Sequence, residues 1–208
     1  MGRYTGPKNK IARRFGINLG LKTNPSKVAR RLGQMPGVHG PHRRPKAASS
    51  FGRQLIEKQK AKFIYGIRER QLRRYVTEAT RVRGNSGTML QQLLETRLDN
   101  VIYRLGFAGT RAQARQMVGH GMFTLNGKKM DIPSHTVRVG DAIGVKANKL
   151  KKKLFDGMME KLENTTTTPS WLALEPKNLT GKVVSLPKND DMEHLFDVTY
   201  IIEYFSTR

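Results

Sequence analysis

The 208-residue chain has no cysteine, which excludes disulfide bridges and thiolate metal sites and leaves redox chemistry without its usual residue. Acidic residues are missing from one long stretch: residues 1–56 hold thirteen Lys or Arg and no Asp or Glu. That imbalance marks a binding arm. No apolar run approaches the roughly eighteen residues of a membrane-spanning helix. Met1 to Lys10 lacks the apolar centre of a secretory signal, so the expectation is a soluble, intracellular protein. An Arg-rich, acid-free beginning could mimic an organelle transit peptide, but Gly6, Pro7 and the missing amphipathic period argue against it.

What is present is positive charge. The chain carries 39 Lys or Arg against 16 Asp or Glu, a formal +23. Such an excess goes far beyond the needs of solubility and repels a compact fold unless a polyanion neutralises it, which makes a nucleic acid the leading partner. Residues 1–86 supply most of it, with 22 basic and 3 acidic residues, while the remainder is near balance at 17 and 13. An apolar fraction of 37% suffices for modest cores, in one large domain or two small ones.

Glycine and proline punctuate residues 1–48 too closely for a long helix, which predicts extended chain with short turns that orders against its partner. From Ser49 or Ser50, a candidate N-cap, Phe51, Leu55, Ile64 and Ile67 recur at roughly helical spacing among lysines and arginines. After Gly66 a second basic helix sets Leu72, Tyr75, Val76 and Ala79 on one side. Leu90, Leu94, Leu98, Val101 and Leu105 predict one helix from Thr88 to a stop at Gly106, and Thr110 caps a shorter helix bearing Arg111 and Arg115 on one face. Beyond Gly121 the period becomes that of strands: Met122–Leu125 and Lys128–Ile132 around an Asn126-Gly127 hairpin turn, then Val137–Val139 and Ala142–Val145. Leu150, Leu154, Met158 and Leu162 predict a helix, residues 164–169 a linker, and Lys182–Leu186 and Val198–Phe205 late strands. Phe51 reads as a core residue; Tyr4, among polar neighbours, as a stacking candidate. No repeat indicates a solenoid.

The helix with Arg111 and Arg115, a loop with His120 and a hairpin tip with Asn126 and Lys128 together offer donors to a nucleic-acid backbone. Here the chain is also similar to a known family. Residues 97–107 (RLDNVIYRLGF), 110–116 (TRAQARQ), His120-Gly121 and 139–141 (VGD) resemble a widespread small RNA-binding domain. The flanking segments 3–7 (RYTGP), 37–40 (GVHG), 52–59 (GRQLIEKQ), 69–75 (ERQLRRY), 169–172 (PSWL) and 203–206 (EYFS) resemble the family of the fourth protein of the small ribosomal subunit, of bacterial and organellar type, from which that domain takes its name.

The resemblance implies an α+β fold: a helical lobe, an inserted RNA-binding module of two helices and a small antiparallel sheet, and an extended basic N-terminal arm. It places the arm at residues 1–48, the helical lobe at 49–90 completed by about 182–208, and a second lobe at 91–181 with the module near 95–145. The implied function is a non-enzymatic constituent of the small subunit, a primary binder of its rRNA at a helix junction in the five-prime domain. It also implies neighbouring ribosomal proteins and mRNA, at the channel where it enters, as partners, a part in decoding accuracy, and repression of its own operon in some organisms. No homo-oligomer, membrane or cofactor is expected. Some members bind zinc through N-terminal cysteines, but Asn9 and the lack of cysteine exclude that here.

Residues expected to meet RNA are Arg3, Tyr4, Lys8, Lys10, Arg13 and Arg14, then His39, Arg43, Arg44 and Lys46. Arg53 and Lys58 join them from the first long helix, and Arg70, Arg73, Arg74 and Arg83 from the second and its turn. The module contributes Arg111, Arg115, Gln116, His120, Asn126 and Lys128.

Other readings are weaker. His39 and His42 have no neighbouring carboxylate to complete a metal site, and Asp99 and Asp141 read as a helix partner and a turn residue rather than catalytic acids. A pseudouridine synthase would need a catalytic domain of some two hundred residues, and 63 follow Val145. A ribosome-rescue or stress-related RNA binder sharing the module is the main alternative. Sequence-specific DNA binding through a helix-turn-helix over Thr88–His120 is a formal one.

Overall fold

A computed structural model of the chain describes residues 4–40, 42, 47–163, 168–192 and 194–206. The expected contacts Arg3, Arg43, Arg44 and Lys46 and most of the 164–169 linker lie outside the described residues. The fold is α+β. In chain order the helices are α1 (Lys8–Phe15), α2 (Pro25–Ala29), α3 (Ser50–Ile64), α4 (Glu69–Arg81), α5 (Ser86–Glu95), α6 (Leu98–Arg104), α7 (Arg111–Gly119), α8 (Met158–Glu163) and α9 (Val198–Ser206). The strands are β1 (Phe123–Leu125), β2 (Lys128–Met130), β3 (Ala142–Val145), β4 (Leu172–Glu175) and β5 (Thr180–Val183), forming one antiparallel sheet in the order β2-β1-β3-β5-β4. Two compact units result: residues 1–91 with 193–208, and residues 92–192, the boundary falling inside α5.

In the first unit, two short helices stand where extended chain with short turns was expected. The glycines and prolines limit helix length without forbidding a turn or two: α1 ends where Gly16 takes a left-handed φ of 68°, and Asn24 caps α2 by accepting the Lys27 N–H at 3.1 Å with Pro25 in the first turn. Ile11, Ala12, Leu19 and Val28 are buried, and Arg13 donates to the carbonyls of Gln34 and Met35 at 2.8 and 3.0 Å. The arm therefore folds back on itself locally. Ser49 caps α3 through the Gly52 N–H, while α4 buries Leu72, Tyr75, Val76 and Ala79, the face its spacing predicts.

The predicted strand over Val198–Phe205 is a helix, α9. Its β-branched and aromatic residues favour strands, but Ile201 and Tyr204 fall three apart on one buried face, and Asp197 accepts the Thr199 N–H at 2.8 Å as a cap. Packing against α3 overrides propensity. Phe51, predicted to be core, is instead exposed and stacks on Tyr204 with ring centres 5.8 Å apart.

In the second unit the single helix predicted over Thr88–Gly106 breaks between Glu95 and Leu98. Arg97 is extended and bridges Thr136, the Val137 N–H donates to Thr96 O, and the Leu98 N–H donates to His135 O. These pairings also replace the strand expected at Val137–Val139. The apolar spacing survives the break because Leu94, Leu98, Val101 and Leu105 all remain buried. The predicted hairpin forms: Asn126 and Gly127 both have positive φ, 49° and 78°, as a type I′ turn requires. The helix expected over Leu150–Leu162 shortens to α8, preceded by successive tight turns with Leu150 and Leu154 exposed. Of the Lys182–Leu186 stretch only Lys182 and Val183 are strand, at the end of β5. There Gly181 admits the close approach of Leu105, whose methyl would lie 2.6 Å from an added Cβ. The core joins α6 and α7 to the sheet and to Phe155, Met158, Leu162 and fully buried Trp171.

Candidate nucleic-acid interface

The cations of the first unit divide by what they touch. Arg70, Arg73 and Arg74 on α4, Arg81 at its end and Arg83 beyond it are exposed, as are Lys10, Arg14, His39 and Arg53. Arg70, Arg74, Arg81 and Arg83 form no ion pair among the described residues. Lys8 is half-buried. Tyr4 is exposed but set edge-on to Phe63, with ring centres 5.6 Å apart.

Lys58 belongs elsewhere. It is 3% exposed, pairs with Glu69 at 2.5 Å and lies 4.0 Å from the centre of the Tyr204 ring. Burial works to raise the Glu69 carboxyl, yet the hydrogen bond and charge of Lys58, joined by Lys62, hold it below the ordinary carboxylate range. Lys58, expected to meet RNA, is buried and ties α3 to α4 and α9.

In the second unit the arginines of α7 are engaged internally. Arg111, 9% exposed, donates through Nε to Asn100 Oδ1 at 2.7 Å and covers the Tyr103 ring at 4.6 Å. Its Nη2 lies 4.0 Å from Glu95, a fully enclosed carboxylate that also takes Asn100 and both forks of Arg104. Arg115 donates to Asp99 Oδ2 at 3.1 Å, and Asp99 receives Arg97 as well. Arg111 and Arg115, expected to donate to RNA from one face, therefore also hold protein partners, because charges removed from water require close ones. Asn126 is likewise held, by Asp141 and by the Ala142 N–H, each at 2.8 Å. Gln116, His120 and Lys128 are exposed.

Sequence reasoning read Asp99 as a helix partner without naming the arginines it holds, and missed Glu95. Glu95 adjoins Leu94 and Asp99 adjoins Leu98 in the buried stripe, and an acid at an apolar helix face is the signal that could have revealed a paired charge. It also passed over Lys151, Lys152 and Lys153, exposed in the turns before α8, and Lys22, Lys27, Arg30 and Arg31, exposed around α2. Among the described residues no group of three or more His, Asp or Glu is placed to hold a metal ion. No described helix is long and apolar enough to cross a membrane.

Residues 3–95 match the family model for the ribosomal protein S4/S9 N-terminal domain, and residues 96–143 match that of the S4 domain. The small ribosomal subunit protein uS4 of Herpetosiphon aurantiacus is 48% identical over 99% of this chain and 100% of its own length. The proteins of the same name from Roseiflexus sp. (strain RS-1) and Aquifex aeolicus are each 45% identical, covering 99% of this chain and 100% and 99% of theirs. The chain belongs to the uS4 family. The S4-domain match ends at Ile143, so the uS4 resemblance over the rest of the sheet rests on the full-length relatives. Membership also settles the enzyme question, the family being structural and non-enzymatic.

Proposed function

We propose that this uS4 family member is a structural constituent of the small ribosomal subunit, and that it binds small-subunit rRNA at a helix junction in the five-prime domain and helps nucleate assembly of the subunit body. The observation that carries the proposal is the segregation of charge. Glu95 and Asp99 are buried among arginines, and Glu57 and Glu69 are engaged by lysines, so these four acids are neutralised within the protein while Lys10, Arg14, Arg70, Arg74, Arg81 and Arg83 face outward. Converging RNA helices crowd phosphates that repel one another, and a rigid cationic surface relieves that repulsion while fixing their angle. Arginine suits the task because its planar fork bridges phosphate oxygens and stacks on bases.

The binding surfaces are the arm and the exposed face of α4 in the first unit, and the α7–hairpin surface in the second. Neighbouring small-subunit proteins, mRNA at the channel where it enters, an influence on decoding accuracy and a cytoplasmic location complete the reading. The test is a chemical footprint of the purified protein on naked small-subunit rRNA. Protection confined to a five-prime-domain junction supports it, and scattered or absent protection at physiological salt refutes it.

A further inference from the structure

A cleft of about 410 Å³ opens between α4 and α9, within the size range of small-ligand sites. Val76 and Ile202 contribute apolar surface, Thr77 and Thr80 polar atoms, and Arg73 and Phe205 flank it. The Arg73 guanidinium sits 5.7 Å from the centre of the Phe205 ring, which Tyr204 meets edge-on at 5.3 Å. The Lys58 ammonium also lies 5.8 Å from the centre of the Phe205 ring.

We infer that this cleft receives an unpaired RNA base, stacked on Phe205 and covered by the Arg73 guanidinium. The inference rests on the RNA-binding role proposed above and names one contact within it. Three observations favour a base over an apolar peptide side chain. The cleft pairs an aromatic face with a planar cation, the combination that holds splayed-out bases. Thr77 and Thr80 already donate their hydroxyl protons to helix carbonyls at 3.0 Å, so what they still offer is acceptor lone pairs, suited to the exocyclic amino group of a base. Finally, Arg70 lies one turn before Arg73 on the same helical stripe, and Arg74 is adjacent and exposed, so phosphates flanking the base would find cations along α4.

The test uses the full chain and a five-prime-domain small-subunit rRNA transcript. Phe205→Leu keeps an apolar side chain and removes the ring, and Arg73→Lys keeps the charge and removes the planar face. Each is expected to weaken binding about 5- to 150-fold, the range for removing a base's stacking partner, with the salt slope unchanged, while Phe205→Tyr binds as wild type does. Wild-type affinity in Phe205→Leu, or full recovery of affinity by Arg73→Lys after weakening in Arg73→Ala, overturns the inference. So does an intact rRNA affinity accompanied by failure to bind a second ribosomal protein, which would mark the cleft as a protein-binding surface. Independently of how the variants fold, short-wave ultraviolet cross-linking of the wild-type complex should leave a nucleotide adduct on the peptide carrying Phe205, and adducts found only elsewhere overturn it. A wild-type protein that ignores the transcript altogether would instead sink the RNA-binding role itself.

Discussion

Glu95 accepts both the Nε and the Nη2 of Arg104, at 3.0 and 2.9 Å, from a position with no exposure to water. The same carboxylate takes the Asn100 amide at 2.8 Å and faces Arg111. The turn from α5 into α6 is therefore organised around one buried negative charge. Glu95→Ala would strand Arg104 and Arg111 without it, and removing one member of a buried ion network typically costs about 3–5 kcal/mol. The expected outcome, read by denaturant unfolding, is a destabilisation of that order.

Arg111 and Arg115 should behave differently. Arg111→Ala leaves Asn100 Oδ1 unpartnered in a dry setting, which costs about 1–3 kcal/mol. Arg115→Ala leaves Asp99 its bidentate partner Arg97, and Arg115 is partly exposed, so the destabilisation should stay under about 1 kcal/mol. Thermal melts of the two single variants distinguish them. Equal destabilisation would contradict this division.

The exposed face of α4 should carry salt dependence. Replacing Arg70 and Arg74 together by Gln is expected to lower the log-log salt slope of rRNA binding by up to about 0.7–0.9 for each phosphate that is no longer neutralised, with little change in melting temperature. Titrations of the five-prime-domain transcript across a range of salt concentrations measure it. An unchanged slope would remove these two residues from the interface.

Glu69 makes the first unit acid-sensitive in a definite direction. Its folded value lies below the ordinary 4.5, so the stability it confers is fully present above about pH 4.5 and is lost as pH falls through the folded value. Glu69→Gln should be less stable than wild type at neutral pH and converge with it in acid. Because Glu69 is itself partly exposed, the difference should be modest, and a gap that widened on acidification would contradict the assignment.

Much of the architecture was legible from local pattern. The Leu72, Tyr75, Val76 and Ala79 face of α4, the Ser49 cap and the Asn126-Gly127 hairpin follow from rules that operate within one turn or one pair of strands. The surplus of cations was equally plain, and with it the class of partner. The errors arose where distant segments compete for the same backbone. Thr96 and Leu98 bond to Val137 and His135, some forty residues away, and so interrupt a helix whose apolar spacing runs straight through. Val198–Ser206 has the composition of a strand and becomes a helix because α3 covers one helical face of it.

The identity of the charged residues was written in the chain, but their tasks were not. A lysine at position 58 and arginines at 73 and 111 read alike along the sequence, as members of one basic population. Folding separates them: Lys58 and Arg111 are buried beside carboxylate or amide partners, while Arg73 remains at the surface beside Phe205. The reason is dielectric. A charge taken out of water must find a partner inside the protein, whereas a charge left in water keeps its attraction for phosphate, and only the three-dimensional arrangement decides which charges fall on each side of that line.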